Sequence, residues 1–81
     1  MPKLVCMEID GRKMEPKRVV AVASDLGLSP VYYHDSGDLV FRYAFSGTRV
    51  DSAKIEAHLK PQRLEVIDQS PTTTLPYWLQ R

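Results

Sequence analysis

Three places in this 81-residue chain carry side chains of types that could do chemistry. His34, Asp35 and Asp38 set an imidazole among carboxylates, the material of an acid–base pair or a divalent-metal site. Cys6 offers a thiol, which becomes a nucleophile only where a neighbour stabilises the thiolate. Arg12, Lys13, Lys17 and Arg18 gather four cations near the expected start of a helix. There, free backbone N–H groups could help to hold a phosphate or a nucleic acid.

Each of these has a plainer explanation in its surroundings. Cys6 lies in an alternating apolar stretch with no histidine placed to activate it, and such a cysteine behaves as a small hydrophobe. His34 opposite Asp38 is accounted for by a cross-strand charge pair at a hairpin end. Positive charge at a helix start opposes the macrodipole, and a cluster of this kind is usually a solvated surface. His58 falls near a helix C-terminus, where its charged form is favoured. No phosphate-cradling glycine loop, metal-ligand motif or nucleophile elbow occurs, and glycines 11, 27, 37 and 47 each sit at a turn or cap. The expectation is a protein without catalytic residues, bound metal or cofactor.

Composition narrows the class further. A net charge of +1 and a pI near 7.9 give no strong electrostatic case for nucleic acid. One cysteine excludes an internal disulfide framework and fits a reducing, cytoplasmic setting. The longest apolar run, VVAVA, is far short of the ~20 residues that span a bilayer, and the N-terminus lacks the apolar stretch of a signal peptide. No membrane association is expected.

The elements that must position these side chains read as follows. KLVCMEID, residues 3–10, alternates as a strand ended by Asp10-Gly11. A helix follows from Pro16, with Val19, Val22, Ala23 and Leu26 on one stripe. Gly27 is its C-cap glycine, and Leu28 packs back on it. Residues 30–45 form a hairpin. Its loop is read as Asp35, Ser36 and Gly37, which pairs His34 with Asp38, Tyr33 with Leu39 and Val31 with Phe41. A second helix starts at Asp51, an N-cap, with Val50 and Ile55 as a hydrophobic staple, and stops at Lys60-Pro61. RLEVID, residues 63–68, is the last strand.

The order β-α-β-β-α-β predicts an α+β, ferredoxin-like sandwich: a four-stranded antiparallel sheet, strands one and three central, with both helices on one face. Residues 1–69 would form this domain and residues 70–81 a C-terminal extended arm. Val5, Met7, Ile9, Val19, Ala23, Val31, Tyr33, Leu39, Phe41, Tyr43, Phe45, Ile55 and Leu59 are expected in its core, with Val22, Leu26, Leu64 and Val66.

The opposite sheet face would then show Leu4, Cys6, Tyr32, His34, Val40, Arg42 and Ile67, too apolar to stay wet. Two covers are open to it. One is the chain's own arm, through Leu75, Tyr77, Trp78 and Leu79; the other is a second molecule. The expected function is a small non-enzymatic regulator or interaction module of the kind found in phages and mobile elements. It would dock a protein partner through that face and arm, and act as a homodimer. The alternative is a nucleic-acid-binding module using Arg12, Lys13, Lys17 and Arg18. Base stacking on the sheet is disfavoured, because LVFRYAF, residues 39–45, lacks the RNA-binding motif's glycine and turns its aromatics to the helix side. A third reading is a regulatory domain that senses a small ligand at a dimer seam.

Overall fold

Val5, Met7 and Ile9 project from one side of a strand and Leu4, Cys6 and Glu8 from the other, yet all six are buried. Lys3–Asp10 (β1) must therefore be central and covered on both sides. The computed structural model, which describes residues 2–80, shows both covers. Met1 and Arg81, the outer limits of the expected domain and arm, lie outside the described residues.

After β1 come Pro16–Asp25 (α1), Ser29–Asp35 (β2), Val40–Gly47 (β3), Ser52–Leu59 (α2) and Arg63–Asp68 (β4). The strands form one sheet in the order β2-β3-β1-β4, with every neighbouring pair antiparallel. The chain is thus a small α+β domain of four antiparallel strands and two helices, with the first and third strands in the middle. No helix among the described residues is long and apolar enough to cross a membrane.

Local chemistry explains the helix limits. Pro16 stands in the first turn of α1, where its missing N–H costs nothing. At the other end Gly27 takes φ +81°, Leu28 N–H reaches the Ala23 carbonyl at 2.9 Å, and Gly27 N–H reaches that of Ser24 at 3.0 Å. That is a Schellman cap, and the buried Leu28 side chain closes it from below. Asp51 caps α2 by accepting from Ala53 N–H and Lys54 N–H. α2 ends with Lys60 in the left-handed region, just before Pro61.

The helix-side core joins Val5, Met7 and Ile9 to Val19, Ala23, Leu28, Tyr43, Phe45, Ile55 and Leu59. Phe41, Leu64, Val66, Val22 and Leu26 pack against it half-buried. Val31, Tyr33 and Leu39, expected in this core, are instead 52, 50 and 56 % exposed. Val31 and Tyr33 lie on the edge strand β2, where the helices do not reach far enough to cover them.

Leu39 is exposed for a different reason, which also corrects the hairpin register. Tyr33 pairs with Tyr43, His34 with Arg42 and Asp35 with Phe41, so β3 slides by four positions from the expected pairing. The loop is longer because Arg42 reaches back to Ser36 Oγ at 2.7 Å and Asp38 at 3.3 Å, drawing residues 36–39 over the strand. Leu39 is left outside the ladder at φ +66°, its carbonyl accepting from Gly11 N–H at 2.7 Å. An even slide preserves parity, so Tyr33, Phe41 and Tyr43 stay on the helix side. A further irregularity falls between Pro30 and Tyr32.

Candidate functional site

The reverse sheet face is occupied by the chain's own arm. Trp78 and Leu79 are buried against Leu4, Cys6 and Ala44, with Tyr32, Ile67 and Leu75 packed around them. Trp78 Nε1 donates to Glu65 at 3.3 Å, and the Arg63 guanidinium lies 5.1 Å from the ring centroid. A turn at Ser70 and Thr73 leads the chain into place, Thr73 Oγ1 donating to the Asp68 carbonyl at 2.9 Å. Of the arm residues singled out from the sequence, Tyr77 alone points outward, 82 % exposed. Leu4, Cys6, Tyr32 and Ile67 are therefore not an open docking face; the self-covering alternative describes this surface. Burial here pushes the Cys6 thiol up to about 11, and the charge of Glu65 adds to the shift.

Beyond the arm the same face turns polar. Arg42, expected among the binding residues of this face, is buried and paired with Glu8 at 3.1 Å. It also donates to Ser36, Asp38 and the Val40 carbonyl. Gln62 completes Glu8 from the other side at 2.8 Å. Arg42 holds the Asp38 carboxyl down at about 2, helped by the Val40 N–H. All three guanidinium nitrogens of Arg42 donate within the chain, so this cluster organises the hairpin loop. His34 does not face Asp38 as expected; it stacks near Tyr32, the rings 6.4 Å apart. Val40 is half-buried at the start of β3. Among the described residues no three His, Cys, Asp or Glu side chains gather as metal ligands.

The basic cluster is weaker than its composition implies. Arg12 chelates Asp10 through Nε at 3.0 Å and Nη2 at 2.8 Å, which holds the Asp10 carboxyl at about 2. Pro16 has no N–H, and the Arg18 and Val19 N–H groups bond the Glu15 carbonyl. The helix start therefore presents few free donors. Lys13, Lys17 and Arg18 make no ion pair among the described residues.

An apolar surface is left open on the helix side. A groove of about 490 Å³ runs between α1 and β2, lined by Pro16, Lys17 and Val20 on one wall and by Pro30 to Tyr33 on the other, over Tyr43 and Phe45. Tyr33 stacks on Phe41 at 5.9 Å and tilts against Tyr43 at 5.5 Å; Tyr43 stacks on Phe45 at 5.8 Å. The Tyr43 hydroxyl is buried without a hydrogen-bond partner among the described residues. Sequence reasoning missed this groove, although the aromatic ladder that floors it was visible in the β3 pattern. Comparison with protein-family models, curated proteins and solved structures finds no match to this chain.

Proposed function

We propose that the chain is a ferredoxin-like βαββαβ sandwich serving as a non-enzymatic interaction module, which docks a protein partner on the groove between α1 and β2. The strand order and the shared core of both helices support the sandwich. One observation carries the docking reading. Val20, Val31 and Tyr33 stay 37 to 52 % exposed along one groove, while the chain spends Trp78 and Leu79 closing the opposite face. Contiguous apolar surface left open beside a closed core marks a contact site. A photo-crosslinking amino acid at Val31, in the cells that make the protein, is expected to capture a partner that the same group at exposed Glu56 does not. Equal capture at both positions, or none at Val31, refutes it.

A second reading has a specific observation in its favour. Lys17 and the half-exposed Tyr33 line the same groove, a cation across from a ring on which a base can stack. Single-stranded RNA or DNA bound there would be released as salt rises, with a slope reduced in Lys17→Ala. No retention on a filter at low salt removes this reading.

A further inference from the structure

We propose that the groove between α1 and β2 takes a short apolar peptide segment carrying an acidic residue, with apolar side chains over Val20, Val31 and Tyr33 and the carboxylate against Lys17. This rests on the docking reading above and adds the chemistry of the partner. Among the described residues, Lys17 is the only charged side chain lining the groove. Asp35, at the end of β2, turns its carboxylate back into the loop to accept the Gly37 N–H at 2.9 Å. The bound segment therefore meets a cation and no fixed anion on the groove wall.

Size and depth select a peptide over other occupants. Val31 and Tyr33 remain half-exposed, so the groove is shallow. A small ligand is held by burying most of its surface, which these walls cannot do. The bare apolar side chains amount to a few hundred Å², well under the ~800 Å² that each partner of a stable dimer contributes. A short segment of a larger partner fits both limits.

The mode of binding follows from the edge strand. Pro30 has no N–H to donate, and the register slips before Tyr32, so another strand cannot add along the whole of β2. Recognition falls to side chains inserted into the groove. The Tyr43 hydroxyl, buried and unpaired, supplies the polar anchor: a peptide carbonyl satisfies it once the half-exposed Tyr33 ring swings aside.

Selection of a displayed library of random short peptides on the full chain tests this. Enriched peptides are expected to combine apolar residues with Asp or Glu. In fluorescence anisotropy they should lose about tenfold or more in affinity to Val31→Asp and to Lys17→Glu. Selection on Lys17→Glu should switch the acidic residue to Lys or Arg. Tyr43→Phe should raise the urea midpoint of the free protein while lowering peptide affinity, opposite signs that a purely structural hydroxyl does not give. Enriched peptides without acidic residues, or ones indifferent to Val31→Asp in a variant folded by circular dichroism, overturn the proposal. So does concentration-dependent dimerisation abolished by Val31→Asp, which puts a second copy in the groove, or single-stranded RNA retention lost in Lys17→Glu. Failure to enrich while Val31 still crosslinks a partner rejects the peptide class alone; failure of both rejects the docking surface as well.

Discussion

Leu79→Ala is expected to uncover Cys6 without unfolding the domain. Leu79 is wholly buried, and leucine-to-alanine changes at such sites cost about 2–5 kcal/mol. The arm is tied down by its own short-range bonds, Leu79 N–H to the Pro76 carbonyl and Gln80 Nε2 to that of Leu75. The loss therefore falls on docking of the arm and leaves the sheet ladders intact. At about 3 kcal/mol, and with each ~1.4 kcal/mol worth a factor of ten, the undocked fraction rises about 100-fold. Cys6 reports that fraction. Docked, it is inaccessible and its thiol is held up to about 11; undocked, it returns toward the ordinary value of 9.0. Labelling with an aromatic disulfide at about pH 8 follows the open population as long as redocking outruns reaction. The rate should rise ~100-fold in Leu79→Ala and stay at the wild-type value in Tyr77→Ala, whose ring is 82 % exposed. Equal rates in Leu79→Ala and wild type would refute the arm as the cover of Cys6. Labelling that appears only with global unfolding in urea would refute a separable arm.

Stability should fall on the alkaline side. The folded Cys6 thiol binds its proton more tightly than the unfolded one, so its contribution is complete below pH 9 and lost as pH rises through about 11. The loss, about 2–3 kcal/mol in urea melts, should be largely missing from Cys6→Ala, leaving the slope of Tyr43, which burial shifts in the same direction. The acid limb has the opposite sign: Asp38, depressed to about 2, supports the fold above pH 3.8 and ceases to as pH falls through about 2, a loss that Asp38→Asn should reduce while Asp10, depressed to the same value, keeps its share. Arg42→Met should cost about 3–5 kcal/mol by leaving Glu8 buried and unpaired, and Glu8→Met with Arg42→Met should recover most of it in denaturant midpoints. Gly11→Ala should cost about 1–3 kcal/mol, because a Cβ there meets the Phe41 ring and comes within 3.0 Å of the Leu39 carbonyl.

Element order was legible because each boundary carries a residue whose backbone chemistry starts or stops a helix: Pro16, Gly27, Asp51 and Pro61. Face assignment in the hairpin was legible too, since alternation survives an even slide. Register was not, because Arg42 gripping Ser36 and Asp38 is a tertiary contact that no turn rule contains. The burial of Val31 and Tyr33 was overestimated for a related reason. Alternation says which side a residue faces, but how far a helix extends over the sheet edge depends on the packing of α1 against α2. The reverse face showed in Leu4, Cys6 and Ile67 as apolar surface needing a cover. That Trp78 and Leu79 provide it depends on a path set by the turn at Ser70 and Thr73, and the sequence there has no period to read.

β1 has lost the freedom that alternation normally leaves to a strand. With Leu4 to Ile9 buried on both sides, its five apolar positions Leu4, Val5, Cys6, Met7 and Ile9 cannot drift toward polarity without opening a hole in one layer or the other. β2, exposed along most of its length, can change almost at will. Evolution of this chain should therefore run at two speeds, slowest in the eight residues of KLVCMEID, and the rim of the groove is where new specificities can arise without disturbing the fold.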